Sequence, residues 1–317
     1  MASKKFDVMV VGELNVDLIL NDIESFPEMG KEKLAKDMTL TLGSSSAIFA
    51  SNLSSLGARV SYVGRVGKDY FGKLVKDKLR EKGVKISRII QDSVSNTGAT
   101  IVLNFGEDRA MVTYPGAMNN LTVGDVGTAV LRQAKHLHFS SFYLQPAIRN
   151  DVYKMFKLAK ELGLTTSFDM QWDPEEKWEI DYEKILPLVD VFFPNEQEIL
   201  RLTRENTVEA ALEKLSPISN SIVVKLGNKG SFLRNKEKTI KKKAFLNNEV
   251  VDAIGAGDSF DAGYVFQFVR GSEPERCLEF GNLMGAVNTT AAGGTTAFTT
   301  YREIMKTARE RFGYRGK

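Results

Sequence analysis

The sequence predicts an α/β fold: a mostly parallel sheet covered by helices on both faces. Three observations predict it. Short apolar runs alternate with amphipathic stretches along the chain. Several runs are continuously apolar, as expected of strands buried on both faces. Two segments, Leu18–Leu42 and Gly98–Pro115, break this rhythm as extended, partly polar strands outside the main sheet.

Val8-Met-Val-Val-Gly12 reads as the first buried strand, followed by a helix near Ala47–Leu56 that stops at Gly57. Val60–Gly64 is the next strand. Leu74, Val75 and Leu79 give Gly72–Lys82 helical spacing, and Gly83 ends it. His136–Ser140, Thr165–Asp169, Val189–Phe193 and Ser221–Lys225 continue as strands, with a helix at Val152–Leu162. In the two irregular segments, Thr39–Leu42, Ala99–Asn104 and Ala110–Tyr114 are strand-like, and Glu107-Asp-Arg109 suits a hairpin turn. Strand-like Ser231-Phe-Leu-Arg precedes the basic run Lys236–Lys243, which reads as a solvated hairpin. No repeat or long linker appears.

A chain of 317 residues with 43% hydrophobic content buries a large core as one domain. Its 43 basic and 40 acidic residues leave a net charge of +3, which provides no field for nucleic acid. Cys277 is the single cysteine, so no intrachain disulfide forms and a cytoplasmic location is expected. The N-terminus, Met1 to Asp7, runs straight into a strand without an apolar signal segment. No apolar stretch reaches the roughly 18 residues that span a bilayer, so no membrane association is expected.

The most informative stretch is Val251–Phe266. Gly255, Ala256 and Gly257 carry almost no side chain, so their N–H groups can converge on an anion at the positive end of a helix that begins near Asp258. A carboxylate beside bound phosphate makes sense if it accepts a proton from an attacking hydroxyl. The plainer alternative is that Asp258 is a helix N-cap after a glycine turn.

Asp252-Ala-Ile-Gly-Ala-Gly-Asp258 resembles the signature of the ribokinase-like (PfkB-type) carbohydrate kinases. The resemblance extends, in the family's order, through Gly12–Asp17, Gly43–Ala47, Ser55-Leu-Gly57, Val63–Asp69 with Phe71-Gly72, Asn195-Glu-Gln-Glu198 and Lys225–Gly230. It implies a three-layer sandwich over residues 1–317, with a small β-sheet lid from approximately 14–42 and 97–117 that is used for homodimer contacts. It also implies ATP-dependent transfer to a primary hydroxyl of a small sugar, as in fructokinase or ribokinase, with Mg²⁺ and with a site for K⁺ that many relatives have.

By the same resemblance Asp258 is the base, and the amides of Gly255, Ala256 and Gly257 are the anion hole. Asn15, Asp17, Gly43, Ser44 and Arg109 face the sugar; Tyr114 is a second lid candidate. Gly43 has Leu42 before it in place of a first glycine, and Ala47 stands where an Asn is common. ATP is assigned to Asn195, Lys225, Gly227, Gly230, Gly257 and Asn282, the last facing adenine. Glu198 is assigned to Mg²⁺ through water. Asp252, the Ile254 carbonyl and Gly294 match a monovalent-cation site.

Asp169 resembles an acidic fructokinase position, but the Pro-Asn-x-Arg that follows it there is absent, and Asp173 ends the segment. Asp261 is read as supporting the helix start, and His136 and His138 as packing or surface residues. Two rival readings remain. One is a nucleoside kinase of the same family, with Phe105, Tyr114 and Phe142 stacking a base; the other is a catalytically idle sensor of nucleotide or sugar.

Overall fold

A computed structural model of the chain describes residues 4–105 and 108–316, Asp108 by its backbone alone. Thirteen strands among the described residues form two sheets. The larger has nine: β1 (Phe6–Val11), β4 (Val60–Gly67), β5 (Lys85–Asp92), β8 (Ala134–Ser140), β9 (Thr165–Asp169), β10 (Val191–Phe192), β11 (Ser221–Lys225), β12 (Ser231–Asn235) and β13 (Thr239–Lys242). Their order is β13-β12-β11-β10-β9-β8-β1-β4-β5. All neighbouring pairs are parallel except β11/β12 and β12/β13. The basic run thus forms the expected hairpin with β12.

Alternation along the strands explains why β1 reads as uniformly apolar. Val8 and Val10 join the core on one face, with Phe49 and Val265 from the helices Ser45–Ser55 and Ala256–Phe268. Met9 and Val11 join the core on the other, with Phe156 from the helix Val152–Glu161. Chain order runs outward from β1 in both directions, to β4 and β5 one way and to β8 through β11 the other. Such a reversal opens a crevice at the carboxyl ends of the strands.

The lid sheet has the order β3-β2-β6-β7, from β2 (Asn15–Asn21), β3 (Asp37–Leu42), β6 (Gly98–Phe105) and β7 (Asp108–Tyr114). The expected turn at Glu107–Arg109 is corrected in part. Glu107 lies outside the described residues, but Asp108 and Arg109 belong to β7, paired with Phe105 and Asn104. Met1 to Ser3 also lie outside them.

The strand expected at Val189–Phe193 shrinks to Val191–Phe192. A 3-10 turn at Leu186–Leu188 runs into its start, and Pro194 at its end has no N–H to extend the ladder. No described helix is long and apolar enough to cross a membrane.

Candidate active site

The site assembles where β1, β8, β9 and β11 end and the helix Ala256–Phe268 begins. Gly255 caps that helix with φ +76°, and a Cβ there would sit 2.7 Å from Gly294 Cα, so only glycine fits. Asp258 is therefore in the first helical turn and is not the N-cap. Ser259 N–H makes the first intrahelical bond, to the Gly255 carbonyl, which leaves the N–H groups of Gly257 and Asp258 for an outside acceptor. Ala256 N–H is already engaged by the Ala253 carbonyl at 3.2 Å, so Ala256 contributes shape to the anion loop and its amide is committed to a turn.

Behind the loop lies a buried charge cluster. Lys225 Nζ contacts Asp169 Oδ2 at 2.7 Å and Asp261 Oδ2 at 3.1 Å, with both carboxylates 1% exposed. Burial pulls the Lys225 pKa down, but the carboxylates of Asp169, Asp261 and Glu198 outweigh it and hold the ammonium charged. The Asp258 carboxyl is pushed up to about 7 by burial and then by Asp169. Burial also raises Asp261, against the pull of Lys225. Asp261 thus belongs to the machinery around Lys225 and is more than a helix-start residue.

Two cavities flank the anion loop. One, of about 240 Å³, is lined by Lys225, Gly227, Gly230, Phe245, Gly257 and Asn282 among others. Gly230 has φ +103°, and a Cβ there would meet the Lys242 carbonyl oxygen at 1.9 Å. Asn282 donates its amide to the Lys243 carbonyl at 3.3 Å, at the wall of this cavity.

Nearby, Asn195 and Glu198 form a capping box on the helix Glu196–Thr203: Asn195 Oδ1 accepts from Glu198 N–H, and Glu198 Oε2 accepts from Asn195 N–H. Glu198 is buried, and burial and Asp169 raise its pKa to about 7. Among the described residues no cluster of three or more His, Cys, Asp or Glu could hold a metal ion alone.

The other cavity, of about 250 Å³, lies between β1, β9 and the lid. Asn15, Asp17, Ser44 and Arg109 line it, as expected, and Gly43 stands behind Asp17. A Cβ on Gly43 would lie 2.2 Å from Asp17 Oδ1. Asp17 is pushed up to about 7 by burial and by Glu13, against a hydrogen bond from Asn15. Asn15 Nδ2 donates to Thr100 Oγ1 at 2.7 Å, while its buried Oδ1 has no partner. The turn's positive φ falls on Ser44 (+71°), whose hydroxyl donates to the Glu13 carbonyl and accepts from Ala47 N–H.

Among the residues of this cavity that the sequence reading did not assign to the site are Glu13, Gln171 and Trp172. Glu13 is buried and takes hydrogen bonds from Ser45 and Ser46; its place in the Gly12–Asp17 motif and the triple serine were its signals. Conversely, Phe105 and Tyr114 do not line the cavity, and Phe142 borders a separate one. Asp173 also lies apart, accepting N–H bonds from Glu175 and Trp178. His136 and His138 are core residues bonded to Ser167, and His138 stacks on Phe49.

Asp252 ties the anion loop to its neighbour. Its Oδ1 accepts from Ile254 N–H and its Oδ2 from Gly293 N–H, both at 2.8 Å. The Ile254 carbonyl accepts from Asn288 Nδ2.

Two cavities flank a glycine-opened helix start, with Lys225 lining one of them and Asp258 bonded by Gln171 of the other, an arrangement suited to moving a charged group. Residues 5–300 match the pfkB family of carbohydrate kinases, and the chain belongs to that family of ATP-dependent phosphotransferases. It is 26% identical to the 2-dehydro-3-deoxygluconokinase of Bacillus subtilis, covering 95% of this chain and 94% of that one. It is also 26% identical to the nucleoside kinase of Methanothermobacter thermautotrophicus, covering 98% of each. The structure of Arabidopsis thaliana ribokinase complexed with ribose and ATP matches with a TM-score of 0.83 at 25% identity, covering 96% of this chain and 99% of that one.

Proposed function

We propose that this kinase transfers the γ-phosphoryl group of ATP to a primary hydroxyl of a small sugar, with Asp258 as general base. The observation that carries this reading is the position of Asp258 in the first turn of the helix whose start is the anion loop, bonded by Gln171, which lines the acceptor cavity. ATP is assigned to the cavity of Gly227, Gly230 and Asn282, with its terminal phosphate at the Gly257 and Asp258 amides. The sugar is assigned to the cavity of Asp17. Asp17, Ser44 and Arg109 give it charged and hydroxyl side chains that can hold the hydroxyls of a polyol.

Glu198 suits Mg²⁺ held through water, since that ion keeps several waters and needs few protein ligands. When bound it would neutralise charge between the phosphates. Asp252, with the Ile254 carbonyl and Gly294 beside it, suits K⁺ as a stiffener of the loop, because the carboxylate already bridges both loop segments. Val112, Ile101 and Leu18 are side by side in register on the lid face opposite Asp17, and Val112 is 66% exposed. That apolar face supports a homodimer through the lid. Sedimentation should show a dimer that Val112→Lys dissociates; a monomeric wild type would rule out this contact.

Trp172, 41% exposed at the rim of the acceptor cavity, favours one second reading, a nucleoside acceptor whose base stacks there. Steady-state kinetics over ribose, fructose, 2-dehydro-3-deoxygluconate, adenosine and inosine test both. A nucleoside turned over with a specificity constant well above every sugar would replace the sugar reading.

A further inference from the structure

We propose that Gln171 is a positioning residue that holds the Asp258 carboxylate for its reaction and turns its own carbonyl oxygen toward the acceptor. This inference rests on the assignment of Asp258 as base.

Gln171 follows the end of β9 and has φ +60°, a left-handed conformation that costs a non-glycine residue energy. The conformation is held locally, because its N–H donates to Asp169 Oδ1 at 3.1 Å. The side chain then reaches two carboxylates at once. Nε2 donates to Asp169 Oδ2 at 2.8 Å and to Asp258 Oδ1 at 3.1 Å. Both amide protons are thereby used, and the amide has one admissible orientation. Turned over, it would set Oε1 against two carboxylate oxygens, acceptor against acceptor. The orientation that satisfies the protons leaves Oε1 for an outside donor, and Gln171 lines the acceptor cavity. There it can accept from a substrate hydroxyl.

Gln171 is in turn anchored by a rigid partner. Asp169 Oδ2 is also bonded by Lys225, which Asp261 holds from its other side. The bond from Gln171 is the one side-chain hydrogen bond to Asp258 among the described residues. The charged groups around Asp258 are Asp169 on β9, Lys225 on β11, Glu198 on the helix Glu196–Thr203, Glu13 after β1, and Asp261 on its own helix. Four of these five oppose its negative charge, and Lys225 does not touch it. A neutral donor is what can orient this carboxylate without adding to the repulsion.

The test measures Asp258 directly and by turnover. Carboxyl ¹³C NMR titration, with the Asp258 resonance identified by its loss in Asp258→Asn, should show that group titrating at higher pH in Gln171→Leu than in wild type. With whichever of ribose, fructose, 2-dehydro-3-deoxygluconate or adenosine the wild type phosphorylates fastest, kcat should fall about tenfold or more, the value of one hydrogen bond to a charged group. The KM for ATP should stay within about twofold. Gln171→Glu, nearly isosteric but a third carboxylate at neutral pH, should lower kcat further, and it carries the kinetic test if the leucine variant does not fold. Unchanged Asp258 titration together with unchanged kcat in Gln171→Leu, or full activity in Gln171→Glu, would overturn the proposal. If Asp258→Asn retains turnover, the base assignment is what fails, while the titration still reports whether Gln171 engages the carboxylate.

Discussion

The two cavities that meet at Gly255–Gly257 are built from different materials. The one assigned to ATP is lined largely by glycine and alanine, beside Lys225, Phe245, Phe260 and Asn282, with Gly230 packed against the Lys242 carbonyl. The one assigned to the sugar carries charge, hydroxyls and an amide on its side chains, from Glu13, Asp17, Ser44, Ser45, Arg109 and Gln171, beside apolar residues such as Met111 and Leu144. A surface made of backbone tolerates many sequences as long as the glycines remain, whereas one made of side chains changes its preferences with each substitution. Among relatives of similar identity, one is a deoxygluconokinase and another a nucleoside kinase. If the assignments hold, the difference between the cavities fits that spread: a shared donor gripped largely by main chain and a variable acceptor gripped by side chains.

The largest expected effect belongs to the junction, which serves neither cavity alone. Asp258→Asn should lower kcat by about 10²–10⁴-fold, the usual worth of general-base assistance, and leave both KM values near wild type. Because burial lifts the Asp258 carboxyl to about 7, the base is protonated and idle in acid. The rate should therefore climb with pH through about 7 and level off above it. A pH–rate profile already flat from pH 5 to 8 would take Asp258 out of the base role.

Next is the anion loop. Gly257 is open to solvent on the ATP side, with only Lys225 atoms near its missing Cβ, at 3.8 Å or more. Gly257→Val should therefore fold normally and still keep phosphate from its amides. Loss of one such donor costs about 2.7–4 kcal/mol in comparable sites. Single-turnover rates check this, and a folded variant with an unchanged rate would show that the Gly257 amide plays no part.

How much of this was legible in the sequence follows the same division. The anion loop and its base lie within a dozen residues, so Gly255, Gly257 and Asp258 could be read together. β1 was legible because it is buried on both faces. The acceptor wall was legible only in part. Asp17 and Asn15 stand in a recognisable motif, but Gln171 follows the end of a separate strand, and only the sheet order brings it to Asp258. Ser44 in a left-handed turn was invisible because serine carries no mark of positive φ. β5 went unnamed because an edge strand such as Lys85-Ile-Ser-Arg is too polar to resemble a buried one.

On the acceptor side, Asp17→Ala should raise the sugar KM by about tenfold or more, since charge-assisted hydrogen bonds are worth about 1.5–3 kcal/mol. The KM for ATP should not change, because Asp17 and the ATP cavity lie on opposite sides of the anion loop. If both constants rise together, the cavities are coupled and the contrast between them weakens.

The smallest expected effect is the most discriminating. Trp172 stands half out of the acceptor wall, packed edge-on against Trp178 at 4.9 Å between ring centroids. If the acceptor is a monosaccharide, the ring lies at the rim and contributes little. Trp172→Ala should then change the sugar KM by about threefold or less, as surface substitutions generally do. If the acceptor carries a purine or pyrimidine, the same ring is its stacking partner, and stacking of one base on an aromatic side chain is worth about 1–3 kcal/mol. The substitution would then raise the nucleoside KM by five- to more than a hundredfold while leaving Asp17→Ala as damaging as before, because a ribose and a free sugar both present hydroxyls to that carboxylate. Comparing the two substitutions on one substrate separates what holds the hydroxyls from what holds anything beyond them. A small effect at Trp172 beside a large one at Asp17 is the signature expected of a sugar kinase.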